Sequence, residues 1–361
     1  MQRLIIKKVV GLILGLGYIG GFFPAALADN QAVKNAPAGK VVEISVAVND
    51  VHKSTQQYAK VLGLSQWQYI DLSLRGGDNS AATRPQLRVA RAQWQDVTVE
   101  LIQPLADASP VREFIKTRGE GLYAVGIASS DIPETLSRAS QVLFRADSAQ
   151  GGYATWWDTF DSLGINVKAI DPRQHKSWGK TQLPTDAPVA DRVFQLGIVV
   201  EDIETTAKHY QRLVGLAPWM VVDFQAPHVS NAQYLGAMSD DSSDTVIQVG
   251  YGNWSGLQIE LLAPITGPSP HRDFLITTGA GAHHLSFGAV AEHDEWVQGY
   301  REHGLSVQMQ SDNGGAGRTA TYMATEQALG FVLELTRKVE GPGSLRPSGV
   351  IGLPAKSAVT R

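Results

Sequence analysis

At 361 residues, with 43% hydrophobic and 18% charged side chains, the chain has the make-up of a globular protein long enough for two compact domains. A net charge of −4 gives no electrostatic basis for binding nucleic acid or an anionic membrane surface. The absence of cysteine removes disulfides, thiolate metal ligands, a cysteine nucleophile and a lipid-anchoring cysteine together.

Residues 1–28 read as a signal peptide. Arg3, Lys7 and Lys8 form a basic start, residues 9–23 an apolar core too short for a comfortable membrane span, and Ala26-Leu27-Ala28 a small-residue cleavage motif. The expectation is a periplasmic or secreted protein with no stable membrane anchor after cleavage. GLGYIG (Gly15, Gly17, Gly20) matches a dinucleotide fingerprint by letters only, because no strand–turn–helix unit surrounds it. Residues 29–40 are a polar leader.

From Val41 the sequence states a pattern and later restates it. VEISVAVNDVHKSTQQYAKVLGLSQWQYID (residues 42–71) matches FQLGIVVEDIETTAKHYQRLVGLAPWMVVD (residues 194–223), pairing Asp50 with Asp202, Tyr58 with Tyr210, Trp67 with Trp219 and Asp71 with Asp223. In each copy an apolar strand ends at an Asp suited to N-capping, an amphipathic helix follows, and Gly63 or Gly215 stops it. VTVELIQPLADASPVREFIKTRGEGLYAVGIAS (residues 97–129) echoes LQIELLAPITGPSPHRDFLITTGAGAHHLSFGA (residues 257–289), and residues 155–170 echo 321–336. The chain therefore divides into domains at 41–171 and 192–338, joined by a Pro/Lys/Gln/Asp-rich linker at 172–191, with a Gly/Pro/Ser-rich flexible tail at 339–361. Each domain carries an inner repeat in which Glu260 corresponds to Glu334 and the strand bearing His284 to the strand bearing Gln195. The fold class is α+β, built from four βαβββ modules. A carboxylate on one strand and the His283-His284 pair on another are raw material for a metal site.

Paired βαβββ modules with IELLAP, GAGAHHLSF and VLEL strands resemble the vicinal oxygen chelate superfamily, which includes glyoxalase I, methylmalonyl-CoA epimerase, bleomycin-resistance proteins and extradiol dioxygenases; the motifs are most similar to the epimerase and glyoxalase I. The resemblance implies two curved sheets, with metal ligands at equivalent strand positions of both modules. In the second domain these are Gln195, Glu260, His284 and Glu334, a set suited to Zn, Ni, Co, Mn or Fe(II). In the first domain the same positions read Glu43, Glu100, Ala124 and Lys168, so it is expected to be metal-free, with Lys168 pairing Glu100 in the ion's place. Module pairing across domains would instead assemble Glu43, Glu100, His284 and Glu334, an excess of negative charge for one dication. His283 is expected to point away from His284, since strand neighbours face opposite sides.

The activity implied is a metal-dependent lyase or isomerase stabilising an enediolate of a small α-oxygenated carbonyl substrate, with Glu334, or second Glu260, as the catalytic base. Its rivals are an Fe(II)-dependent extradiol-type dioxygenase and a non-catalytic, bleomycin-resistance-like ligand binder. Tyr234, Tyr251 and Trp254 are candidates to stack a ligand, and His228 and Asn253 to contact it; Trp219 and Asp223 have twins in the other domain, which points to structural roles. No Ser-His-Asp arrangement or phosphate loop stands out.

Overall fold

The structure, a computed structural model, describes residues 39–75, 86–94, 97–128, 134–147, 153–170, 193–226, 229–238, 244–287, 292–313, 318–338 and 346–352. The expected signal peptide, the linker at 172–191 and His228 lie outside the described residues. Among the described residues no helix is long and apolar enough to cross a membrane.

The first half runs β1 (Lys40–Ala47), helix Val51–Leu62, β2 (Gln68–Arg75), β3 (Leu87–Trp94), β4 (Val97–Pro104), helix Pro110–Arg118, β5 (Gly121–Ala128), helix Glu134–Ala139, β6 (Val142–Asp147), β7 (Tyr153–Trp157), helix Phe160–Leu163 and β8 (Asn166–Ile170). The second half runs β9 (Val193–Val199), helix Ile203–Val214, β10 (Trp219–Phe224), β11 (Ser230–Tyr234), β12 (Ala237–Met238), β13 (Val246–Trp254), β14 (Leu257–Thr266), helix Pro270–Thr277, β15 (Gly281–Phe287), helix His293–Glu302, β16 (Val307–Asn313), β17 (Arg318–Met323), helix Glu326–Leu329, β18 (Val332–Lys338) and β19 (Gly349–Ile351). This is the α+β architecture of four βαβββ modules. The long module helices begin and end as their sequences dictate: Asp50 and Asp202 cap backbone amides at the start, and Gly63 (φ 70°) and Gly215 (φ 72°) close them in the left-handed conformation.

The two sheets differ in one respect that bears on function. The first closes into a barrel, β1-β4-β3-β2-β6-β7-β8-β5, sealed where Ser73, Leu74 and Arg75 pair with Asp147, Ala146 and Arg145. The second has eleven strands, β12-β11-β16-β17-β18-β15-β9-β14-β13-β10-β19, and stays open. Its equivalent seam, between β10 and β16, is occupied on both sides by other strands. β11 takes the edge of β16, pairing Gln233 with Gln310 and Tyr234 with Met309. β19 takes the edge of β10, pairing Trp219 with Ile351 and Val221 with Gly349.

That last pairing corrects the expectation of a wholly flexible tail at 339–361. An uncovered β10 would expose a row of backbone donors and acceptors, and the short Gly349–Ile351 strand satisfies them, with Ser348 N donating to Val221 O at 2.8 Å. Ile351 also packs on the main hydrophobic core.

The modules pair within each half. β1 lies parallel to β4 and antiparallel to β5, and β9 lies parallel to β14 and antiparallel to β15. One face of these strands, including Ile44, Val46, Leu196, Ile198, Leu285 and Phe287, enters a core shared by both halves. The halves meet in twin contacts. Tyr58 donates its hydroxyl to Leu329 O at 2.6 Å, and Tyr210 donates to Leu163 O at 2.9 Å. At this junction Gly164 and Gly330 allow close approach: a Cβ on Gly164 would lie 2.4 Å from Ile198, and one on Gly330 2.9 Å from Val46. The other strand face lines the concave side of each sheet, where the polar side chains gather.

Candidate metal centre

In the first half the concave face holds a charge-balanced network. Lys168 on β8 donates to Glu100 Oε1 and Oε2 at 2.8 and 3.0 Å and to Glu43 Oε1. Arg91, facing Glu100 from β3, reaches Glu100 Oε2 at 2.5–2.6 Å, and the Ser45 hydroxyl donates to Glu100 Oε1 at 3.1 Å. The ammonium also lies 4.4 Å from the Trp156 ring centre. All of these side chains are buried. Burial works to raise the Glu100 carboxyl, but the Arg91 and Lys168 charges override it and hold it down to about 2. Glu43 goes the other way: burial and the Glu100 charge raise it against the pull of Lys168 and Arg91. Lys168 does pair with Glu100, with Arg91 as a second cation that the sequence pattern did not reveal.

The second half has the same register with different chemistry. Ser45 pairs with Glu100 and Ala124; Gly197 pairs with Glu260 and His284. Arg91 faces Glu100, and Tyr251 faces Glu260. Trp156 faces Lys168, and Tyr322 faces Glu334. Thus the two positions that carry Lys168 and Arg91 in the first half carry Glu334 and Tyr251 in the second.

Glu260, His284 and Glu334 come together, with one ligand atom from each lying within 4.8 Å of the others. His284 Nε2 is 3.2 Å from Glu260 Oε2 and 3.4 Å from Glu334 Oε2. His284 is fully buried, while Glu260 and Glu334 keep 6% and 5% of their surface. Gly197 makes the arrangement sterically permissible: a Cβ there would fall 1.9–2.4 Å from three atoms of the His284 ring. The first half shows the compensating exchange, with Ser45 opposite Ala124.

Glu334 Oε2 is buried with no hydrogen-bond partner. Burial raises this carboxyl, with His284 pulling it down and Glu260 pushing it up. Burial, together with the carboxylate charges, lifts Tyr251 and Tyr322 well above the ordinary phenol range, so both remain protonated donors beside the cluster. Two carboxylates, an imidazole, an unpartnered carboxylate oxygen and no cation at the matched positions fit a divalent ion well.

Gln195 lies on the same strand face as the cluster, paired in register with Ser286, but its amide nitrogen is committed to Gln258 Oε1 at 2.7 Å. Its amide oxygen is the end left to act as a ligand. Glu43 and Glu100 belong to the first barrel, so the cross-domain alternative set is not assembled.

His283 departs from expectation. A register shift between Ala282 and His284 makes it the extra residue of a bulge on β15, and bulged residues escape strict alternation. Its Nδ1 lies 3.1 Å from His284 Nδ1 rather than on the opposite side. His271, unremarked among the sequence candidates, is buried beside both, with ring centres 5.1 Å from His283 and 5.8 Å from His284. Burial, with neighbouring imidazoles adding to it, pushes both His271 and His283 well below the usual histidine range.

The remaining candidates divide. Trp219 and Trp67 each donate Nε1 to the carbonyl three residues back, and Trp219 and Trp254 are fully buried, so packing is their role. Asp71 and Asp223 bind the cross-strand Arg88 and Gln248. Asn253 accepts from Gly256 N in an exposed turn. Tyr234 hydrogen-bonds Asp273 and packs against the cluster that contains Tyr322. Tyr251 faces Glu260, so it is a site residue through its hydroxyl rather than as a stacking surface.

Residues 43–156 and 194–322 match the glyoxalase/bleomycin resistance protein/dioxygenase superfamily. The chain belongs to that superfamily. Its two matched stretches are the two tandem halves. Among solved structures, a triple mutant of 4-hydroxymandelate synthase from Streptomyces coelicolor is 13% identical over 85% of this chain and 95% of its own, with a TM-score of 0.56. A Mn(II)-bound glyoxalase from Novosphingobium aromaticivorans is 13% identical over 84% of each chain, with a TM-score of 0.44. These likenesses are of fold. Among the curated proteins none matches.

Proposed function

We propose that the second half is a divalent-metal-dependent lyase or isomerase acting on a small α-oxygenated carbonyl compound, and that the leader at 1–28 sends it to the periplasm or outside the cell. The observation that carries the reading is the exchange of Lys168 and Arg91 for Glu334 and Tyr251 at register-matched positions. Glu260 lacks the two cations that balance its counterpart Glu100, and Glu334 adds a second buried carboxylate where Lys168 stands in the first half; a dication would supply the missing charge. Glu260, His284 and Glu334 would hold the ion, with the Gln195 oxygen as a fourth donor. When bound, it would supply Lewis-acid stabilisation of an enediolate.

The protein's own groups account for the proton. Glu334 is the base, because its Oε2 makes no hydrogen bond and lies 3.4 Å from His284 Nε2; it takes the α-proton and returns it to the neighbouring carbon. Tyr251 and Tyr322, protonated and facing the two carboxylates, orient them and can donate to a developing oxyanion. The second sheet is not closed at the seam that the first barrel closes, its two edges there being taken by β11 and β19. An oxygenase is the second reading, since the tandem layout extends over nearly the whole of 4-hydroxymandelate synthase. The cluster itself disfavours it: a facial triad for Fe(II) oxygen chemistry has two histidines and one carboxylate, and this one has the reverse.

The test is metal content after chelator-free purification, for wild type and Glu334→Gln, followed by NMR in D2O with a panel of α-hydroxyketones and α-hydroxyacyl thioesters. Metal-dependent deuterium entry at the α-carbon, lost in Glu334→Gln, is the expected result. Oxygen uptake with Fe(II) would favour the second reading. A protein that takes up none of Zn, Ni, Mn or Fe(II) would overturn both.

A further inference from the structure

The SPVREF and GEGLYAVGI segments of the first half align with SPHRDF and GAGAHHLSF of the second. The alignment places Val111, Tyr123 and Ala124 opposite His271, His283 and His284. In the first half these three side chains sit together in one hydrophobic cluster. In the second half the same three core positions carry imidazoles, all buried, with one nitrogen from each within 4.8 Å of the others. Apolar packing does not call for three histidines, and one of them has no polar partner at all. His271 is 2% exposed, and both its Nδ1 and its Nε2 lack a hydrogen bond. A buried imidazole with two unsatisfied nitrogens is costly unless something else binds it.

His284 joins this group to the carboxylates. Its Nε2 faces Glu260 and Glu334, and its Nδ1 is 3.1 Å from His283 Nδ1. The 3.1 Å contact is a hydrogen bond between the two rings, and two nitrogens on one zinc, each about 2.0–2.1 Å from it, sit roughly 3.3 Å apart in a tetrahedron, so only a small shift separates the two arrangements. His283 also lines a cavity of roughly 330 Å³, walled in part by Phe114, Phe160, Phe274 and Phe331, so one of the three imidazoles borders an open space.

We infer that His271, His283 and His284 Nδ1 form a second metal site, for a borderline dication of the zinc or copper class, back to back with the carboxylate site across the His284 ring. An all-imidazole donor set suits such ions and leaves a fourth position open. The His284 ring would serve both sites, offering Nε2 on the side of Glu260 and Glu334 and Nδ1 on the side of His283. The inference does not need the proposed function, because the three imidazoles can bind an ion whether or not the carboxylates do.

The experiment is zinc stoichiometry on the full chain by equilibrium dialysis, with Cu2+ EPR as the spectroscopic readout. Wild type, His271→Phe and the Glu260→Gln/Glu334→Gln double variant are compared, each checked by circular dichroism. Phenylalanine keeps an aromatic ring at the position and matches the apolar character of Val111 at the twin position. Wild type should bind two zinc ions, His271→Phe one, and the double carboxylate variant one, whose copper form shows nitrogen hyperfine coupling from several imidazoles. Binding of a single ion, lost in His271→Phe and kept in the carboxylate variant, would sustain this site and remove the carboxylate one. An ion that survives His271→Phe unchanged in number and spectrum, or no binding by wild type, overturns the inference. If His271→Phe is unfolded, His283→Gln takes its place: its circular dichroism should match wild type, and zinc uptake should fall by one equivalent.

Discussion

Lys168→Met removes the ammonium that balances the first half's carboxylates, and its cost can be worked from the contacts. Glu100 would keep Arg91 at 2.5–2.6 Å and the Ser45 hydroxyl at 3.1 Å. Glu43 would be left with Arg91 at 3.8 Å and a weak approach of the Ser45 hydroxyl at 3.5 Å, in a position with no solvent exposure. Breaking a buried ion pair by deleting one partner costs about 3–5 kcal/mol, against a typical total of about 5–15 kcal/mol. Part of that cost becomes pH-dependent. Burial and Glu100 already raise the Glu43 carboxyl, and without Lys168 it rises further. A raised carboxyl keeps a proton in the folded state that the unfolded state has released, so its stabilising contribution is full below the ordinary carboxylate value and declines as pH rises. The slope is about 1.4 kcal/mol per pH unit until the folded group ionises. In the intact protein Glu100, held down to about 2, has the opposite sign: its contribution is present above the ordinary value and lost as pH falls toward about 2. Urea unfolding followed by circular dichroism and by fluorescence, with Trp156 beside the Lys168 ammonium as local probe, gives both numbers. The variant should lose least stability near pH 5 and most near pH 8, and adding Glu43→Gln should restore most of the loss. A Lys168→Met protein within about 1 kcal/mol of wild type at pH 7, or no rescue by Glu43→Gln, would refute the charge-balance argument.

Three further outcomes follow from the same geometry. Gly197→Ala drives a Cβ into the His284 ring and should weaken metal binding by about 10–100-fold while leaving the circular dichroism spectrum intact; isothermal titration with Zn2+ and Mn2+ checks it. Tyr58→Phe and Tyr210→Phe each delete one buried hydroxyl-to-carbonyl hydrogen bond, should each cost about 1 kcal/mol in urea unfolding, and should add in the double variant because the two contacts lie at separate junctions. Truncation after residue 345 removes β19, so amide exchange at Trp219 and Val221, the alternate residues whose backbone faces it, should quicken, and unchanged exchange would show that the edge pairing contributes nothing.

The internal repeat explains why so much of this arrangement could be read from letters. Matching residues 42–71 with 194–223 predicts equal strand registers, and those registers carry Glu43, Glu100, Ala124 and Lys168 onto Gln195, Glu260, His284 and Glu334. Capping Asp and Gly residues act locally, within a few bonds of where they stand, and so were legible too. Arg91 and Tyr322 were not, and Tyr251 was read as a stacking surface rather than a hydroxyl donor, because these residues reach the site from strands that alternation describes equally well with either face inward. The β19 pairing was hidden for a related reason: a three-residue strand has no period to detect.

The histidines illustrate a different limit. Alternation predicts that His283 and His284 diverge, and a single inserted residue on β15 cancels that prediction. Nothing in the dipeptide itself marks the bulge. Yet the duplicated half held a clue in His271, which stands where the first half has the fully buried Val111. Between two copies of one fold, a change from an apolar core residue to a titratable one removes packing that the other copy retains. Two such changes, Val111 to His271 and Ala124 to His284, converge on a third imidazole where the first half has Tyr123, in the half whose sheet stays open, and ion binding explains the convergence more economically than independent substitutions do.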